Sequence, residues 1–193
     1  MRYICVFAGS SHGKRQQYEQ AARSLGQELT ARGLGLVYGG SSVGLMGVLA
    51  DAVLANGGEV IGVIPKNLFQ REVAHRGLST LHEVGSMHER KAMMANLADG
   101  FIALPGGFGT FDELFEIITW AQIGIHHKPI GLLNVADYFQ PLKALIAHAT
   151  SEGFVQPAHA QLILEGSTAT ELLDMLQTFQ PGVVLSKWDT PAP

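Results

Sequence analysis

Cysteine is nearly absent from this chain. The single Cys5 sits in the first apolar run, which leaves no disulfide framework and no cysteine-based metal cluster. A basic excess is missing too. The 13 Lys and Arg stand against 17 Asp and Glu, for a net charge of −4 with the eight His neutral, so nucleic acid is not an expected partner. No apolar run is long enough for a membrane span, and Met1–Phe7 is too short for the core of a signal peptide. The expectation is a cytoplasmic protein with no membrane partner. The histidines lack metal spacing: His126 and His127 are adjacent, and no His-Glu-x-x-His occurs. No metal is expected.

What is present is a folded chain of 193 residues, 47% hydrophobic and 16% charged. That length suits one domain, expected over residues 1–180, with a loose tail at 181–193. Short apolar runs alternate with helical patterns. Strands are expected at residues 2–8, 34–38, 59–64, 79–84, 101–104, 129–133 and 161–165. Helices are expected at about 15–32, from the second glycine turn to Gly57-Gly58, at 86–98, from Thr110 onward, at 137–150 and from Thr168 onward. Residues 66–77 read as a polar loop with at most one helical turn. Ser86-x-x-Glu89, Thr110-x-x-Glu113 and Thr168-x-x-Glu171 each have the form of a capping box. Uniformly apolar strands between helices predict an α/β fold of the doubly wound, Rossmann-like kind. Its mainly parallel sheet of about seven strands would carry helices on both faces.

Three glycine turns follow strands: Gly9–Gly13, Gly39–Gly47 and Gly106–Gly109. In a parallel sheet they gather at the carboxyl ends of the strands, where ligands of such folds bind. The stretch from Phe101 to Glu113 is the most telling. A buried strand, Pro105-Gly106-Gly107-Phe108-Gly109 and a helix start form the geometry of an anion site, because the first helical N–H groups have no partners of their own. A phosphate cradle of a nucleotide site is expected there.

Several nucleotide chemistries are disfavoured. G-x-G-x-x-G is missing after the first strand and no acidic residue ends the second, so a dinucleotide cofactor is not expected. Gly9–Lys14 is one residue short of a P-loop and lacks the Ser/Thr that follows it. Gly40-Ser41-Ser42-Val43-Gly44 fits a nucleophile elbow with Ser42 as nucleophile. It would need a later acid and histidine, such as Asp137 with His148 or His159, and nothing singles these out. Serines lining a glycine turn and bonding a ligand are the simpler reading. Arg90 and Lys91 fall in the first turns of a helix, where the dipole disfavours cations. A solvated face would accommodate Lys91; for Arg90 a ligand phosphate or a carboxylate such as Glu113 is the expected partner.

Met87-His88-Glu89-Arg90-Lys91 followed by Pro105-Gly106-Gly107-Phe108-Gly109-Thr110-Phe111-Asp112-Glu113 resembles the paired signature of the Lonely Guy family, the cytokinin-activating phosphoribohydrolases once mislabelled lysine decarboxylases. The likeness extends over roughly residues 3–178. It includes Tyr38-Gly39-Gly40, Gly44-Leu45-Met46-Gly47, Arg71-Glu72 and Ile117–Gln122. It implies a Rossmann-like homodimer that hydrolyses the N-glycosidic bond of a nucleoside 5′-monophosphate, either AMP or an N6-modified AMP, without a cofactor. Carried over by position, it implies Arg90 and Glu113 as the catalytic pair. Glu72, Lys91, Gly107, Phe108, Gly109, Thr110, Phe111, Asp112 and Thr119 would contact the nucleotide. Gly9, Ser10, Gly39, Gly40, Gly44, Met46 and Gly106 are further candidates for the pocket lining. Two departures stand out: Ser41 replaces a usual third glycine, and Phe111-Asp112 replaces a frequent Leu-Glu. A non-catalytic nucleotide carrier on the same fold is the alternative; the Arg90/Glu113 pair argues against it. The decarboxylase label fits poorly, since pyridoxal chemistry needs a Schiff-base lysine and Lys66 and Lys91 lie in no recognisable context for one.

Overall fold

A computed structural model describes residues 1–66 and 74–180; the expected tail at 181–193 lies outside the described residues. Seven strands form one sheet: β1 (Tyr3–Phe7), β2 (Gly35–Tyr38), β3 (Val60–Pro65), β4 (Thr80–Val84), β5 (Gly100–Ala103), β6 (Ile130–Leu133) and β7 (Ile163–Gly166). Every pairing is parallel, in the order β4-β3-β2-β1-β5-β6-β7. The expected "mainly parallel" sheet is therefore wholly parallel. The order reverses between β1 and β5, paired from Ile4↔Gly100 to Phe7↔Ala103.

Among the described residues the helices are α1 (Gln16–Ala31), α2 (Gly44–Ala55), α3 (Met87–Leu97), α4 (Phe108–Gln122), α5 (Gln140–Ser151), α6 (Pro157–Ala160) and α7 (Ala169–Thr178). Residues alternate along each central strand between two cores. Ile4 and Val6 of β1 pack with Leu25 and Leu29 of α1, Leu49 and Val53 of α2, and Leu172 and Leu176 of α7. Cys5 and Phe7 pack on the opposite face with Met94 of α3, Leu114 and Ile117 of α4, and Phe139. With both faces covered, a strand has no reason to alternate apolar with polar, which is why these runs are uniformly apolar.

Two capping boxes form as expected. The Ser86 hydroxyl accepts from the Glu89 N–H at 3.1 Å, and the Glu89 carboxylate accepts from the Gly85 N–H at 2.7 Å. Thr168 and Glu171 repeat the arrangement with Ser167. The third does not form: α4 begins at Phe108 with Gly107 as its N-cap, so Thr110 lies inside the first turn. The helix expected from Asp137 starts instead at Gln140. A 3-10 turn at Val135–Asp137 intervenes, with Ala136 and Asp137 at positive φ, and the Asn134 carboxamide accepts from the Phe139 N–H at 2.8 Å. The four-residue α6 was not expected.

Helices α1 and α2 approach most closely at Gly26. A Cβ placed there would lie 2.7 Å from the Ala52 Cβ and 3.0 Å from the Leu49 carbonyl oxygen. Gly26→Val should therefore overpack this contact and cost about 1–3 kcal/mol, seen as a lowered midpoint in urea or thermal unfolding. An unchanged midpoint would mean that the helices separate freely.

Candidate active site

The segments that follow β1 and β5 deliver backbone to one cleft, and carbonyls from β3 and from just past β2 hold the arginine that lines it. Gly9, after β1, donates its N–H to Pro105 O at 3.1 Å, and its carbonyl accepts from Leu45 N at the start of α2 at 3.0 Å. The loops after β1 and β5 thus touch at Gly9 and Gly106, where a Cβ on Gly106 would meet the Thr110 Oγ1 at 2.1 Å. On one side of this ridge lies a cleft of about 160 Å3 lined by Ser10, Met46, Arg90, Gly107, Thr110 and Glu113, among others. On the other side a larger cleft of about 270 Å3 is bounded by Ser11, His12, Tyr18, Pro105 and Tyr138. Gly9, Ser10 and Gly107 border both.

The N-terminus of α4 opens into the first cleft. Its first intrahelical bond is Phe111 N→Gly107 O at 3.1 Å, so the N–H groups of Phe108, Gly109 and Thr110 have no intrahelical acceptor. A Cβ at Gly107 or Gly109 would meet nothing within 4 Å, so both glycines leave open space in front of these donors. The helix thus starts two residues upstream of Thr110, the start that the sequence suggested, and leaves its first N–H groups open to the cleft.

Arg90 and Glu113 are both buried against this cleft. Arg90 reaches from α3 over the sheet edge, where its Nε donates to Val63 O at 3.0 Å and its Nη2 to Gly39 O at 2.9 Å. Nη1 lies 4.0 Å from the Glu113 Oε1. Glu113 was one of the two expected partners; the shorter contacts are carbonyls, which offset the burial of a charge in the helix's first turn. Lys91 is not on a solvated face. It is buried, with its Nζ 3.0 Å from Asp112 Oδ2 and 3.2 Å from Glu116 Oε1. Burial disfavours its ammonium, but hydrogen bonds and charge from Asp112 and Glu116 outweigh that and raise its pKa. A lysine held protonated in this way is a poor Schiff-base nucleophile. Beneath the pair, Cys5 has its thiol pKa pushed well up by burial and then by the Glu113 charge, which leaves it inert.

The remaining expected residues divide clearly. Gly9, Ser10, Met46, Gly107, Phe108, Gly109 and Thr110 line the first cleft, and Gly106 borders the second. Gly39 and Gly40 act through the loop beneath Arg90. Gly44 holds φ +60 against the Ser10 backbone. Phe111 packs into the core, and Asp112 is engaged by Lys91. Ser41 is fully buried, and its Oγ accepts from Val43 N at 3.4 Å, so it braces its own turn. Thr119 is exposed two turns beyond Glu113, its hydroxyl donating to Phe115 O; it does not reach the cleft. Glu72 lies outside the described residues. The elbow reading gains no support: Ser42 is exposed, His148 is exposed, and neither ring nitrogen of the buried His159 has a hydrogen-bond partner among the described residues. Two contributors escaped sequence reasoning. Val63 acts through its carbonyl and carries no side-chain signal. Tyr138 follows β6 at the same sheet edge and hydrogen-bonds Gly106 O, a position the edge rule alone would have nominated.

A wholly parallel, Rossmann-like sheet places a helix N-terminus and a buried Arg–Glu pair in one cleft at the edge where ligands of such folds bind. The family model described as "Possible lysine decarboxylase" matches residues 46–176, and the chain belongs to this family, the Lonely Guy family. It is 51% identical over 180 residues to the cytokinin riboside 5′-monophosphate phosphoribohydrolase LOG3 of Arabidopsis thaliana, covering 93% of this chain and 84% of that protein. The corresponding LOG enzyme of Oryza sativa subsp. japonica is 50% identical over 196 residues, with coverage of 100% and 80%. Among solved structures, the molybdenum cofactor carrier protein of Chlamydomonas reinhardtii superposes with a TM-score of 0.69 at 18% identity, covering 91% of this chain and 96% of that one. That likeness concerns the fold.

A Cβ at Gly39 would lie 1.9 Å from the Arg90 Nη2. Gly39→Ala should therefore displace the guanidinium from its acceptor and cost about 1.5–3 kcal/mol, the range for hydrogen bonds to charged groups. Gly107→Ala, with open space around the new methyl, should stay within about 0.5 kcal/mol of the parent. Equal losses in urea unfolding would contradict this account of Gly39.

Proposed function

We propose that this chain hydrolyses the N-glycosidic bond of an adenine-type nucleoside 5′-monophosphate, releasing free base and ribose 5-phosphate. The observation that carries the reading is the buried Arg90–Glu113 pair beside the open N-terminus of α4. The 5′-phosphate binds the N–H groups of Phe108, Gly109 and Thr110 and the positive end of the helix dipole. This anchors the nucleotide and holds its C1′–N bond near Glu113. As that bond breaks, its electron pair leaves with the base and positive charge grows on the ribose. A carboxylate beside the ring stabilises this charge more in the transition state than in the ground state. Glu113 also takes a proton from the attacking water, whose oxygen bonds to C1′; that proton passes on to the departing nitrogen, directly or through solvent, which neutralises the base and returns Glu113 to its starting state. Arg90 fixes Glu113 from the sheet side. At 4 Å, with an effective dielectric of about 20, their attraction is of order 4 kcal/mol before desolvation, enough to hold the carboxylate on the cleft side. The curated relatives' names, which specify cytokinin riboside 5′-monophosphates, support the same substrate class. Within the described residues no helix is long and apolar enough to cross a membrane, in keeping with the cytoplasmic location we infer.

We also infer a homodimer that uses α4. Phe108 is 93% exposed, and Phe115 and Ile123, near the same side of the helix, are about two-fifths exposed, as is Met87 on α3. Such an apolar stripe fits a partner surface. Phe115→Glu with Ile123→Glu should convert the dimer to a monomer in sedimentation velocity; a monomeric parent would refute this inference.

Free base should appear from AMP or isopentenyladenosine monophosphate and not from the unphosphorylated ribosides, followed by chromatography. Glu113→Gln should lower kcat by about 10²–10⁴-fold while nucleotide affinity stays within a few-fold. Nucleotide binding without base release from the parent protein would favour the carrier reading, and retained turnover in the variant would move the chemistry away from Glu113.

A further inference from the structure

Arg90 depends on the carbonyl of Gly39, in a loop where two consecutive glycines give the backbone unusual freedom. Gly40 has φ +76 and sits against β3, where a Cβ added at Gly62 would come within 2.9 Å of the Gly40 Cα. From the other side, Ala74 and His75 clamp the same loop. His75 N donates to Gly40 O at 3.0 Å, and Ala74 forms an antiparallel bridge with Ser41. The His75 side chain is itself fixed at both ring nitrogens. Its Nδ1 accepts from Gly77 N at 3.2 Å, which leaves Nε2–H to donate to the Asp51 carboxylate on α2 at 2.9 Å. The Asp51 side chain is two-thirds exposed, whereas that of His75 is 12% exposed. The Tyr38 hydroxyl, buried and without a hydrogen-bond partner among the described residues, lies in the field of both Asp51 and Arg90.

We propose that the His75–Asp51 pair is a positioning device for the reaction: it pins residues 74–77 onto Gly40–Ser41 so that the Gly39 carbonyl faces Arg90, which in turn sets Arg90 against Glu113. Neither residue belongs to the paired family signature, and neither lines the cleft. The chain of contacts is continuous: Asp51 to His75, His75 to Gly40, Gly39 to Arg90, Arg90 to Glu113. Small displacements propagate along it because a catalytic group moved by about 1 Å can lose up to about a hundredfold in rate. A latch of this kind alters kcat rather than ground-state affinity, since the 5′-phosphate cradle on α4 is built from separate backbone.

The proposal rests on the hydrolase reading for its kinetic arm and on Arg90 itself for its second arm. His75→Ala and, separately, Asp51→Ala should lower kcat by roughly ten- to a hundredfold with KM within about twofold. The double variant should be no worse than either alone, as expected of residues acting as one unit. His75→Gln, whose amide N–H takes the place of Nε2–H and can still donate to Asp51, should recover part of the rate. In ¹⁵N–¹H spectra the Arg90 Nη signals, held apart by the Gly39 bond, should broaden or average in His75→Ala, while its Nε–H signal, bonded to Val63, persists. Unchanged kcat together with unchanged Nη signals in the two alanine variants would overturn the proposal. So would a fall in thermal stability and nucleotide binding together that glutamine does not rescue. Should the parent protein release no base, the hydrolase reading fails and the Arg90 spectrum alone decides between latch and no latch.

Discussion

A guanidinium buried at the edge of a parallel sheet is the constraint on which the cleft depends. Removing a permanent cation from water is tolerable only if its donors find acceptors, and Arg90 finds them where strands end. The β2–β3 register ends at Tyr38↔Gly62, so Gly39 O, just past β2, and Val63 O, on β3 beyond the end of β2, are both left for Arg90. The price is the loss of any side chain at residue 39, since a methyl there would occupy the guanidinium's own place. One arginine therefore dictates the glycine after β2, the approach of α3 to the sheet, and the direction from which Glu113 is met.

The sheet topology explains why this cation meets an anion site at all. Chain order reverses between β1 and β5, so the helices that follow these two strands leave on opposite faces and their first turns diverge. Gly9 and Gly106 fill the resulting gap by direct backbone contact, and the cleft divides into lobes on either side of that ridge. α4 then begins beside β1 with three unpaired N–H groups facing the lobe that holds Arg90. The open N–H groups belong to a helix start and the charged pair to α3 and the second turn of α4, so in the reaction we propose anchoring and chemistry use different atoms.

Much of this was legible in the chain. Uniform apolar runs followed by glycine turns are what a two-sided parallel sheet requires, and they located the strands and the cleft edge. The anomaly of Arg90 and Lys91 in a helix's first turn marked the site because dipole and burial both oppose it. Less was legible where backbone atoms act. The acceptors for Arg90 are carbonyls, which leave no trace in residue type. Thr110-x-x-Glu113 has the letters of a capping box, but Gly107 can take the extended N-cap conformation, and the helix starts there instead. Ala136 and Asp137 adopt positive φ without a glycine to announce it, which displaced the expected start of α5. The paired partners of Lys91 lie a helical turn apart on another element, and their meeting is a tertiary fact.

The adjacent Arg90 and Lys91 show how one dipeptide separates two electrostatic tasks. Successive helical residues point about 100° apart, so Arg90 turns to the sheet edge while Lys91 turns to α4. Asp112 and Glu116, spaced i and i+4, stand on one side of α4 and close on Lys91 from a turn apart. Without that lysine, the start of α4 would present two further carboxylates near the very N–H groups that a phosphate needs. With it, their charge is largely spent locally, and Glu113 is left as the carboxylate opposed by Arg90. The short Asp112 side chain brings its oxygen to 3.0 Å from Nζ, close enough for the neutralising contact. The hydrolysis we propose calls for this division: neutralise the carboxylates that serve structure, and leave one facing the carbon where charge will develop.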